Sequence, residues 1–170
     1  MATEEITING ERVTTLKELL RPGLKAIFVG LNPAPRSVEL AHYYQGAHGQ
    51  RFWNLLRKYA ICSNLPRGSE DDAAFQQGFG FADLVRRPTS KGPLLKRKEK
   101  SEGVGELIER LKSIPERPLI IFRYAEPWKL AKDRLKSLGY CVIKMPSPYE
   151  RREKAEEKMT EVRRALRRAC

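Results

Sequence analysis

GLNPAP at residues 30–35 and MPSPYERR at residues 145–152 are the two stretches that decide how this chain is read. Each follows an apolar run with strand character, KAIFV over residues 25–29 and YCVIK over residues 140–144. Open α/β sheets carry their ligand sites in the loops at the carboxyl ends of parallel strands. Both loops are rich in proline and small polar residues, which fix the backbone direction and leave few side chains in the way. Two rigid loops on one rim of a sheet, in a strongly basic chain, point to an enzyme acting on nucleic acid.

Outward from these loops, residues 31–49 lack periodicity and are expected to be loop. Phe52, Leu55, Leu56 and Tyr59 recur at helical spacing and predict a helix over residues 50–59. A second helix is expected over residues 69–77, with Ser69 as N-cap, acidic residues in its first turn and Gly78 as terminator. Residues 78–85, GFGFADLV, form a turn and then a strand or extended segment. Residues 119–122 are a buried strand. Helices are expected from Val104 to near Ser113 and over residues 127–138, the latter closed by Gly139. Ala155, Met159, Val162 and Leu166 place one apolar stripe on a closing helix. Near the start, Thr15 followed by Glu18 resembles a capping box and predicts a short helix over residues 15–20, ended by Arg21-Pro22-Gly23. Residues 6–8 are either a short strand or an ordered tail. The alternation of strand and helix indicates a layered α/β domain with a mainly parallel sheet, one domain over residues 1–170 with residues 1–20 as an N-terminal extension.

The composition limits what such a domain does. A chain of 170 residues, 41% of them apolar, can bury a real core. No apolar run approaches the ~18 residues of a membrane span, and no signal-peptide core is visible, so a cytoplasmic protein is expected. The net charge of +12, from 33 Lys+Arg against 21 Asp+Glu, favours a polyphosphate partner, because neutralising phosphates releases counterions. Residues 86–100 are the most basic stretch, read as a surface loop carrying Arg86, Arg87, Lys91, Lys96, Arg97, Lys98 and Lys100 against Glu99. Cys62, Cys141 and Cys170 share no short spacing, and the two histidines, His42 and His48, sit in no HExxH pattern. No metal and no cofactor is therefore expected. Gly103-Val104-Gly105 lacks the third glycine and the preceding strand of a dinucleotide motif.

Four segments carry a more specific likeness. GLNPA, HYYQGAHGQRFW, GFADLVRRPT and MPSPYER occur in an order and spacing similar to the uracil-DNA glycosylase superfamily, most closely its mismatch-specific uracil/thymine branch. The resemblance runs from about residue 25 onward. It implies a three-layer α/β/α sandwich and a monofunctional, monomeric enzyme of base excision repair. Such an enzyme flips a deaminated base, here uracil opposite guanine, out of DNA and hydrolyses its N-glycosidic bond. Asn32 matches the residue that orients the attacking water. Its carboxamide does not titrate, so it positions water through its carbonyl rather than acting as a strong base. The resemblance puts Gly30, Leu31, Tyr44 and Asp83 around the base, with Tyr43 as the alternative stacking ring because the alignment needs one extra residue.

Asp83 departs from the Asn or Lys of relatives. Either it accepts hydrogen bonds from the base, or it pairs with Arg86 or Arg87. The departure leaves open hypoxanthine or xanthine as the base, and a catalytically silent nucleic-acid-binding module remains the rival. The 145–152 loop matches the segment that enters the duplex, with Ser147 and Pro148 near phosphate and Tyr149 and Arg151 as wedge candidates. Met145 stands where other branches have a histidine. Arg86, Lys96, Arg97 and Lys98 complete the expected DNA contacts.

Overall fold

The structure is a computed structural model, described over residues 3–169; Cys170 lies outside the described residues. Its centre is a four-stranded, all-parallel sheet of β3 (Ala26–Gly30), β4 (Phe79–Asp83), β5 (Leu119–Phe122) and β6 (Val142–Lys144), in the order β4-β3-β5-β6. Helices α1 (Pro35–Leu40), α2 (Gly46–Lys58) and α3 (Glu70–Gln76) lie between β3 and β4 in the chain. The later ones are α4 (Arg97–Lys112), α5 (Ala125–Ser137) and α6 (Arg152–Arg168).

The strands are apolar at nearly every position because both faces of the sheet are covered. Alternate residues face opposite layers. Ile27, Val29, Ala82, Ile120 and Phe122 pack with Val104, Leu107, Ile108 and Leu111 of α4 and with Ala131 and Leu135 of α5. Ala26, Phe28, Phe79, Phe81, Leu119 and Ile121 pack with Phe52, Trp53 and Leu56 of α2, Ala74 of α3, and Met159 and Val162 of α6. The sandwich is therefore three layers, α/β/α, as the alternation and the resemblance imply. At its middle Phe28 meets Phe52 edge-on, ring centroids 5.1 Å apart. Among the described residues, no helix is long and apolar enough to cross a membrane.

The chain leaves β3 toward β4 on one side and later returns to its other side as β5, so the strand order reverses at β3. Ligands bind at such a switch point, outside the carboxyl ends of the strands. Gly30, Asp83, Arg123 and Met145 all stand at or just past those ends.

The N-terminal segment corrects the expected helix over residues 15–20. Instead β1 (Thr3–Ile8) and β2 (Glu11–Leu16) form an antiparallel hairpin. Val13, Thr14 and Thr15 favour extended backbone, and Asn9-Gly10 between the strands adopts positive φ, 51° and 84°. Thr15 caps nothing; it is buried and donates its hydroxyl to the Arg86 carbonyl at 2.6 Å. Leu19 then bridges to Phe81 on the β4 edge.

Two smaller corrections concern helix boundaries. Residues 31–49 contain α1 and the start of α2, and residues 97–100 of the expected basic loop are the first turn of α4. Cys62 and Cys141 are unpaired, and burial pushes the Cys62 thiol up to about 12.

Candidate active site

Two of the sequence motifs lie side by side on the rim. Leu84, Val85 and Thr89 donate their backbone N–H groups to the carbonyls of Gly30, Leu31 and Pro33, at 3.0, 2.9 and 3.2 Å. This zipper brings Asn32 next to the turn after β4. The Asn32 Nδ2 group donates to the Arg87 carbonyl at 2.9 Å and to Thr89 Oγ1 at 2.7 Å. Thr89 passes its own proton to the Lys91 carbonyl at 2.9 Å, so toward Asn32 it can only accept. Both partners of Asn32 are acceptors, which fixes the amide NH2 on their side. The carbonyl oxygen is left as the free end of a carboxamide that lines a cavity.

That cavity measures about 100 Å³ and is bordered by Gly30, Asn32, Tyr43, Tyr44, Asp83 and Tyr124 among others. A volume of this size is a few times the ~30 Å³ of one liquid water, and well under the ~300 Å³ at which drug-sized ligand sites begin. It suits one small ring. Leu31 is not among its walls; it packs against the apolar layer formed with α4 and α5.

The tyrosines differ. Tyr43 is 3% exposed and its ring packs on Phe81 at 5.5 Å. Tyr44 is half-buried and leans on Phe52, ring centroids 4.2 Å apart. Its backbone is held at φ 52°, an uncommon conformation for a bulky residue. Trp53 Nε1 donates to the Tyr44 carbonyl at 3.1 Å, and Gly49 lies so close that a Cβ there would fall 1.8 Å from that oxygen. The preceding residue is anchored by α3, whose first-turn acids point inward rather than merely decorating the helix end. Asp71 accepts from the Tyr43 N–H at 2.8 Å and meets His42 Nδ1 at 2.7 Å. Both tyrosine hydroxyls are buried with no hydrogen-bond partner among the described residues. Burial first, and then the Asp83 charge, push both phenols well above their usual range, so each keeps its proton.

Asp83 ends β4 and is 4% exposed. Its Oδ1 sits where a side chain on Gly30 would be: a Cβ there would stand 2.4 Å away, so only glycine fits. Asp83 pairs with neither arginine suggested by the sequence. Arg86 bonds Glu4 at 2.6 Å and the Leu16 carbonyl at 2.8 Å, and Arg87 grips Glu99 through Nε and Nη2 at 2.6 and 2.9 Å. Burial, and then the neighbouring Glu18 charge, push the Asp83 carboxyl up to about 8 against the lowering pull of Arg110 and Arg86.

The second loop is pinned from below. Met145 is buried, and its N–H donates to the Phe122 carbonyl at 2.8 Å. Arg123 is buried just after β5 and donates Nη1 to the Pro146 carbonyl at 3.0 Å. Burial pulls its guanidinium below the usual range. Beyond this anchor the chain turns outward. Glu150 accepts from the Ser147 N–H at 2.9 Å, and Ser147 Oγ accepts from the Tyr149 N–H at 3.3 Å. Tyr149 projects with 83% of its surface exposed, and Pro148 is half-buried behind it. Arg151, Lys96, Arg97 and Lys98 are exposed, with Lys98 3.6 Å from Glu102.

The sequence reading missed Tyr124, His48 and Ser37, which also line the cavity. Tyr124 was open to the same reasoning as the two loops, since it lies two residues past the carboxyl end of an apolar strand.

A carboxamide, an aromatic wall and a small cavity thus meet at the switch point of a parallel sheet in an α/β/α sandwich. The family model of the uracil DNA glycosylase superfamily matches residues 18–167, and the chain belongs to that superfamily. Its members are DNA glycosylases of base excision repair.

Proposed function

We propose that this protein is a monofunctional DNA glycosylase that acts as a monomer, draws uracil out of DNA and hydrolyses its N-glycosidic bond. The observation that carries this reading is the orientation of Asn32, whose amide is committed to Arg87 and Thr89, which leaves the carbonyl as the free end of a residue lining the cavity. In the reaction the bond from C1′ to the base breaks, and its electron pair leaves with the base. The sugar becomes cation-like, and water adds at C1′. Asn32 holds that water by accepting one of its protons in a hydrogen bond. The water becomes acidic only as its oxygen bonds to C1′, and the proton it then sheds passes to solvent or to the departed base anion, so a group that cannot titrate is sufficient there. Rate then comes from positioning and from stabilising the departing anion, which favours uracil over poorer leaving groups.

Tyr44 is the ring on which the base stacks. Tyr43, embedded against Phe81, supports it from behind. Tyr149 is the wedge that fills the vacated stack. Ser147, Arg151 and the α4 start at Lys96, Arg97 and Lys98 hold phosphate.

Single-turnover excision on labelled duplexes carrying uracil, hypoxanthine, xanthine or mismatched thymine tests the reading. Wild-type protein should release uracil, and Asn32→Ala should lose about 10²–10³ in rate with DNA affinity kept. Wild-type rates in Asn32→Ala overturn the water-positioning role. No release of any base by the wild type favours a silent binding module.

A further inference from the structure

The cavity wall holds an acid in an unusual setting. Asp83 and Glu18 are neighbours: the Asp83 main-chain N–H donates to Glu18 Oε1 at 3.2 Å, and the Glu18 side chain is only 7% exposed. The cations nearby are already committed. Arg110 places Nε 2.8 Å from Glu18 Oε2 and donates Nη2 to the Asp83 main-chain carbonyl at 2.6 Å, while Arg86 serves Glu4 and the Leu16 carbonyl. Among the described residues the Asp83 carboxyl makes no ion pair. It faces the cavity beside two buried phenol groups, Tyr43 and Tyr44, that also lack partners. Two buried acids at one spot, with the cations claimed by one of them and by other groups, cannot both ionise cheaply.

Resting on the glycosylase reading above, we infer that Asp83 works as a neutral carboxylic acid that reads the flipped base, donating its O–H to a ring carbonyl and accepting the adjacent ring N–H. A neutral carboxyl offers one donor and one acceptor side by side, the complement of the N–H and C=O edge of a cyclic imide such as uracil. As the glycosidic bond breaks, charge accumulates on the base carbonyls, and the donated hydrogen bond strengthens with it. An ionised Asp83 would instead set a negative charge against the departing anion. An acid kept neutral by its site so that it can donate a hydrogen bond is an established catalytic device. On this inference Asp83 donates to the base as well as accepting from it, where the sequence reading had it accept only or pair with an arginine.

The sign of the pH effect follows. The acid is raised to about 8, so it is protonated and working at neutral pH and fails as pH rises through that value. Beyond burial, the groups acting on it are Glu18 of the segment after β2, Arg110 of α4 and Arg86, and beside it stand the phenols of Tyr43 and Tyr44, which stay neutral.

Two measurements decide the matter. The first is single-turnover uracil excision between about pH 6 and about pH 10. Wild type should lose rate about tenfold per pH unit above the transition, and Asp83→Asn, which carries a donor and an acceptor at every pH, should show no such falling limb. Glu18→Gln removes the neighbouring charge and should move the falling limb to lower pH. A wild-type profile flat over the range, or the same limb in Asp83→Asn, overturns the inference. The second is the carboxyl ¹³C resonance of Asp83 in the free protein, assigned by its absence from Asp83→Asn. An ionised Asp83 at neutral pH overturns the inference whether or not uracil is excised. A neutral Asp83 in a protein that excises nothing overturns the glycosylase reading and this role with it.

Discussion

Asn32→Asp exchanges a single NH2 for an oxygen, and its effect on stability tests the orientation on which the proposed chemistry depends. The wild-type amide donates to the Arg87 carbonyl at 2.9 Å and to Thr89 Oγ1 at 2.7 Å. In the variant a carboxylate oxygen faces the same two acceptors. Thr89 can turn its hydroxyl round only by abandoning the Lys91 carbonyl, and the Arg87 carbonyl has nothing to offer. Losing a partly buried hydrogen bond costs about 1 kcal/mol, and leaving an acceptor unsatisfied adds about 1–3 kcal/mol. The variant should therefore be about 2–4 kcal/mol less stable than wild type at neutral pH. The new carboxyl has its folded pKa raised, because its ionised form meets a carbonyl. The penalty is present above the ordinary carboxyl range and disappears below it, where the protonated acid donates to Arg87. Urea unfolding at about pH 7 and about pH 4 measures the difference, with Asn32→Ala as the uncharged reference. A variant as stable as wild type at neutral pH would refute the orientation. It would mean that the oxygen already faces Arg87 and that the amide, not the carbonyl, borders the cavity.

Two further outcomes are expected. Gly30→Ala places a Cβ 2.4 Å from Asp83 Oδ1 and 3.2 Å from the Tyr44 hydroxyl. It should cost about 1–3 kcal/mol in chemical unfolding and depress excision, and full activity with unchanged stability would show that the rim has slack. Neutralising Lys96, Arg97 and Lys98 together should flatten the dependence of DNA affinity on salt, by about 1 in log–log slope for each phosphate that is no longer neutralised. An unchanged slope would make the α4 start a solvated surface.

Much of the fold was legible because its strands are buried on both faces. The runs AIFVG and LIIF could be nothing else in a layered domain, and the apolar spacing in α2, α4 and α6 announced their packed sides. The hairpin was mistaken because a Thr-x-x-Glu pattern competed with two stronger signals, the Asn9-Gly10 turn and the run of β-branched residues at 13–15. Asn32 and Tyr44, singled out by motif and position, both line the cavity. The raised carboxyl of Asp83 was not legible, because it depends on Glu18, Arg110 and Arg86, which only tertiary structure brings near it. A carboxylate in a sequence carries no mark of the desolvation it will meet. Arg86, expected at the DNA surface, is mostly buried and pairs with Glu4, a partner 82 positions away that no local pattern announces.

The docked hairpin bears on how the protein comes to be made. Its ties reach far along the chain: 71 positions from Thr15 to Arg86, 82 from Glu4 to Arg86, and 65 from Glu18 to Asp83. During synthesis the hairpin emerges long before β4, and α4 with Arg110 emerges later still. Until those parts close on one another, Glu18 and Asp83 are ordinary hydrated carboxylates. Contacts this distant in sequence form late, after the entropy of closing long loops has been met. An incomplete chain could carry a finished Asn32 loop and still present an ionised acid to the base. The chemistry proposed for Asp83 thus begins only when this early hairpin and the segment after it have met their distant partners.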